Sequence, residues 1–65
     1  MTVKEFVLAR DVLGLDNLGF GRELGLTVTQ YQCRQVENII NGKTPVTKTM
    51  ALAVECLLWR AGKKV

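Results

Sequence analysis

The chain has 65 residues, 48% hydrophobic and 23% charged, with a net charge of +3 and no histidine. That length makes one domain with a small core, of the size that natural proteins often supplement with a disulfide, a metal or a second subunit. Without histidine, and with Cys33 and Cys56 far apart in the chain, a zinc site has no ligand set; the scattered carboxylates supply no acid–base, nucleophilic or phosphate-cradling constellation either.

No enzyme activity, cofactor or small-molecule ligand is therefore expected. No stretch approaches the roughly 18 apolar residues of a membrane span, and the N-terminus lacks a signal-peptide pattern. The expectation is a soluble cytoplasmic protein without a membrane partner. Its positive charge suits a polyanion without requiring one. Both cysteines fall at apolar positions of helical patterns, which reads as two reduced core cysteines.

Thr2-Val3-Lys4-Glu5 is a capping box, so a first helix begins there. Phe6, Ala9, Arg10 and Leu13 share one face, and Gly14 is the stop, placing the helix end near Leu13. Asp16 caps a short second helix, Asn17 to Leu24, ended by Gly25. Gly19 and Gly21 each cost a helix interior about 0.5–1 kcal/mol relative to alanine. At Gly21 the close approach of another helix would explain that cost.

The stretch Gly25 to Gly42 is organised differently. Cys33, Val36, Ile39 and Ile40 follow helical spacing, whereas the remaining positions are rich in glutamine and asparagine and carry Arg34. Amides donate and accept in pairs, which suits the edges of nucleobases better than simple solvation requires. Thr29-Gln30-Tyr31-Gln32 offers a second capping box, with Thr27 a weaker alternative. The third helix is expected from about Gln30 to Asn41, with Tyr31 as its first apolar anchor.

Gly42-Lys43-Thr44-Pro45 reads as a loop, followed by a fourth helix from about Val46 to Arg60. That helix carries two apolar stripes. Met50, Ala53, Val54, Leu57 and Leu58 form one, and Leu52, Cys56 and Trp59 the other. A helix apolar nearly all round needs more cover than 65 residues provide. A two-fold homodimer is expected, with Met50, Ala53, Val54, Leu57 and Leu58 as its interface.

Phe20-Gly21-Arg22-Glu23-Leu24-Gly25-Leu26-Thr27 resembles the first helix and turn of the helix-turn-helix motif of Cro and lambda-type repressors, the Xre-like regulators. Val36-Glu37-Asn38-Ile39 and Asn41-Gly42-Lys43-Thr44-Pro45 resemble that family's recognition-helix exit and following loop. The resemblance covers about residues 4 to 60. It implies an all-α, lambda-repressor-like domain of about four helices that binds double-stranded DNA. One departure is plain: more residues separate Gly25 from Val36 than the family pattern has. The turn is longer, the helix starts earlier, or both.

On a helical projection with Val36 and Ile39 inward, Arg34 and Asn38 point outward, with Gln32, Gln35 and Glu37 at the sides. These five are the base-reading candidates in a major groove, Arg34 suiting guanine and the amides adenine. Phosphate candidates are Asn17, Arg22, Thr29, Gln30, Lys43, Thr44 and Lys48; the resemblance supports Asn17 and Lys43. Two subunits on an inverted repeat would combine their phosphate contacts. Small regulators of this resemblance are typical of phages and mobile elements, where they repress their own operons. The segment Pro45 to Leu58, with Ala-Val-Glu-Cys-Leu at 53 to 57, is also similar to the C-terminal helix of regulators encoded beside anti-CRISPR genes. A protein-binding inhibitor or adaptor, docking through the amide-rich helix or the fourth helix, is the competing expectation.

Overall fold

The computed structural model describes residues 1–64. Four α-helices and no strand occur among them: α1 (Val3–Val12), α2 (Asn17–Glu23), α3 (Arg34–Ile40) and α4 (Lys48–Arg60). The protein is all-α. Helix α1 packs on both α3 and α4, and α2 packs on α3.

Local chemistry sets most of the ends. At α1 the Thr2 hydroxyl accepts from the Glu5 amide at 3.1 Å, and the Glu5 carboxylate accepts from the Thr2 amide at 2.9 Å. Asp16 caps α2 by accepting from the Gly19 amide at 2.7 Å. Thr47 caps α4 by accepting from the Met50 amide at 3.2 Å, so that helix starts two residues after Val46. Gly25 and Gly42 follow the ends of α2 and α3 at φ 76° and 77°, a left-handed conformation that glycine adopts without a Cβ penalty.

The core is Phe6 and Ala9 of α1, Phe20 of α2, Cys33, Val36 and Ile39 of α3 and its cap, and Val54 and Leu58 of α4. The Phe6 and Phe20 rings meet with centroids 4.9 Å apart and planes tilted by 50°, within the range of favourable aromatic pairs. Gly21 is buried beside Cys33. The neighbour that requires a glycine is thus the N-cap of α3.

The third helix differs from expectation at its start. It begins at Arg34, four residues after Gln30, with Cys33 as N-cap. Thr29 makes a closed turn instead of a helix cap: its hydroxyl accepts from the amides of Tyr31 and Gln32 and donates to the Gln32 carbonyl, and its own amide donates to the same carbonyl. Gln30 and Tyr31 are loop. Tyr31 is 83% exposed and anchors nothing, whereas Cys33 is fully buried and takes the anchoring position. The residues between Gly25 and Cys33 therefore form a long connection, and α3 does not start early.

Helix α4 also differs. Val54 and Leu58 are spent on the protein's own core, with Met50 and Leu57 packed against it. Side chains closed inside one subunit are not available to a second, so Val54 and Leu58 are withdrawn as interface residues. The other stripe is the exposed one: Leu52 is 58% and Trp59 81% exposed, and Cys56 lies at the surface between them. Cys56 is therefore not a core cysteine, although Cys33 is; both are free thiols. No helix among the described residues is long and apolar enough to cross a membrane.

Candidate nucleic-acid interface

Helix α3 is short, and its sequence divides it cleanly. Val36 and Ile39 are buried, Arg34 and Gln35 are exposed, and Glu37 and Asn38 are half-buried at the sides. Gln32, just before the cap, is half-buried in the loop. Among the described residues, no hydrogen bond or ion pair within the chain engages the side chains of Arg34, Gln35, Glu37, Asn38 or Gln32. The donors and acceptors of this face are left to solvent or a partner.

Two open recesses flank the helix. One, of about 420 Å³, lies toward α4 and is lined by Gln35, Asn38, Thr44 and Thr47 together with the apolar Ile39, Pro45 and Met50. The Asn38 carbonyl accepts from the Lys43 amide at 2.8 Å, tying the exit loop back onto α3. Lys43, Thr44 and Lys48 are exposed around it. The other recess, of about 510 Å³, lies toward α1 and α2 and brings Asn17 together with Gln32, Tyr31 and Glu37.

The phosphate candidates are thus unequally placed. Asn17 shares a recess with residues at the start of α3, and Thr44 shares the opposite one. Arg22 and Gln30 are exposed but line neither recess. The Thr29 hydroxyl already donates its one proton to the Gln32 carbonyl at 3.0 Å, so a phosphate would have to displace that bond.

The spacing that puts Arg10 on the inward face of α1 does not show what it bonds there. Arg10 donates to Asn17 Oδ1 at 2.6 Å and holds Asp11 through both Nε and Nη2. Its signal was its place on the buried face of α1 beside Phe6 and Ala9, where a cation needs an internal partner.

Fold and site together define a small all-helical domain with an amide-rich helix face bordered by exposed basic side chains. Compared with protein-family models, with curated proteins and with solved structures, the chain matches none.

Proposed function

We propose that this protein is a sequence-specific double-stranded DNA-binding regulator of the lambda-repressor-like helix-turn-helix kind, acting as a homodimer on an inverted-repeat operator. The observation that carries the reading is the outward side of α3, where Arg34, Gln35 and Asn38 stand beside one another with their hydrogen-bonding groups unspent within the chain. Arg34 opens the helix, and the first residues of a recognition helix are those that reach base edges in this docking mode. In this reading Arg34 selects guanine, Asn38 and Gln35 select adenine, and Gln32 and Glu37 border them. Lys43, Thr44, Lys48 and Asn17 hold phosphates on either side.

The subunits join through the exposed stripe of α4, Leu52, Cys56 and Trp59, with Ala53 beside it. An autoregulatory repressor of a phage or mobile element, of the anti-CRISPR-associated type, is the biological role that fits the resemblance. Selection from a random duplex pool tests the whole reading. The expected product is an inverted repeat with half-sites about one helical turn, ~34–36 Å, apart. Arg34→Ala should then lower affinity for that sequence by about 1–3 kcal/mol. Failure to enrich any duplex would reject the reading.

Trp59, at 81% exposed, favours a second reading, a protein-binding adaptor that docks through α4. Loss of function on Trp59→Ala with none on Arg34→Ala would select it.

A further inference from the structure

The contact between Arg10 and Asn17 joins two helices with a polarity that matters to the proposed phosphate contact. A guanidinium has five donors and no acceptor, so it can face only the oxygen end of an amide. With Oδ1 held at 2.6 Å by Arg10 Nη1, the flipped amide would set NH₂ against a cation. The guanidinium is itself immobilised, because Nε and Nη2 grip Asp11 Oδ1 at 3.1 and 2.9 Å. The Arg10 side chain is 22% exposed against 56% for Asp11, so Arg10 is the inner member of the pair.

We propose that Arg10 is a positioning residue for DNA binding: it fixes the Asn17 amide so that Nδ2 donates an N–H to a phosphate oxygen of the bound duplex. This rests on the DNA-binding reading above. The recess that holds Asn17 also contains Asp16 and Glu37, so charge does not draw a phosphate there. Asp16 is already committed to the Gly19 amide at 2.7 Å. With Asp11, Asp16 and Glu37 outnumbering Arg10 around the recess, an anionic oxygen is held there by a donor aimed at it, and the aim comes from Arg10.

The positioning role differs from a direct Arg10–phosphate contact in its salt dependence. A basic side chain on a phosphate releases a counterion, and its loss reduces the salt slope by about one unit. An oriented amide releases none. The experiment measures affinity for the selected operator at several salt concentrations, with the thermal midpoint of each protein. Arg10→Met and Asn17→Ala should each lower affinity about ten- to a hundredfold, the worth of one hydrogen bond to a charged group. The salt slope should stay that of the wild type, and the double variant should lose no more than either single one. Unchanged affinity, a slope reduced by about one on Arg10→Met, or losses that multiply in the double variant would each overturn the proposal. Because Arg10→Met removes a partly buried ion pair, Asn17→Asp is the second arm. It keeps an oxygen for Arg10, and hence the fold, but has no donor. It should keep the thermal midpoint and lose at least as much affinity as Asn17→Ala; wild-type affinity would overturn the proposal. A wild-type protein that binds no duplex would instead reject the DNA reading before any variant is made.

Discussion

Gly21 and Cys33 are in contact so close that no other residue fits at position 21: an added Cβ would stand 2.4 Å from Cys33 Sγ and 2.6 Å from its Cβ. The Cys33 Cβ is fixed by backbone and cannot swing aside. This contact seats the N-cap of α3 on the middle of α2, and so sets where the outward face of α3 points.

Gly21→Ala should therefore destabilise the protein. Overpacking costs about 1–3 kcal/mol, against the roughly 0.5–1 kcal/mol that alanine gains in a helix interior. Chemical denaturation should show a lowered midpoint, only partly restored by adding Cys33→Ala because the 2.6 Å conflict with Cβ remains. Gly19→Ala is the contrast. Its Cβ would meet Asp16 Oδ1 at 3.1 Å and Leu15 Cδ2 at 3.5 Å, which small shifts relieve, so stability should stay within about 1 kcal/mol of wild type.

Thr29→Ala removes a hydroxyl that makes three hydrogen bonds across the long turn. The expected loss is about 0.5–1.5 kcal/mol of stability, with faster amide exchange at Tyr31 and Gln32. Thr29→Ser should restore both. Wild-type exchange in the alanine variant would show that the turn is held by something else.

Arg34 lies at the first position of α3, whose N-cap Cys33 makes no side-chain hydrogen bond. A cation there opposes the helix dipole, so Arg34→Glu should leave the fold equally stable or more stable, by up to about 1 kcal/mol. The same substitution should abolish operator binding. Reduced thermal stability would mean that Arg34 has a structural partner in solution.

The two sides of α4 should respond oppositely to truncation. Leu58→Ala, in the core, should cost about 2–5 kcal/mol. Trp59→Ala, one residue on, should change monomer stability by no more than about 0.5 kcal/mol and shift sedimentation toward the monomer. A bismaleimide that cross-links the wild type through Cys56 should fail on the Trp59→Ala protein.

The Glu5 carboxyl titrates below its ordinary value because the Thr2 amide, and then the Thr2 hydroxyl network, favours the charged form. A carboxyl depressed on folding stabilises above its unfolded pKa, and that contribution disappears as pH falls through the folded value. Glu5→Gln should flatten the acid limb of the stability profile below pH ~4.5. A wild-type acid limb in that variant would show that the capping box does not carry this dependence.

Four helices and two of their starts were legible in the residues because the deciding interactions span three or four positions. Thr2 with Glu5, Asp16 with Gly19, and the glycines that end each helix have no competitor within that range. Thr29 did have one. A hydroxyl followed by a glutamine three residues on fits a capping box and a closed turn equally, and the choice went to the turn when Cys33 found its seat under Gly21. Helix α4 posed the same difficulty in its faces. Two apolar stripes have the same periodicity, and only packing against Phe6 and Ala9 in one core could commit Val54 and Leu58 inward and leave Leu52 and Trp59 outside. The partner of Arg10 was equally invisible, since Asn17 meets it across a turn between helices. Local hydrogen bonding can be read along the chain; the choice between equivalent faces and partners depends on which long-range contacts fill the core, and that is a property of the folded molecule.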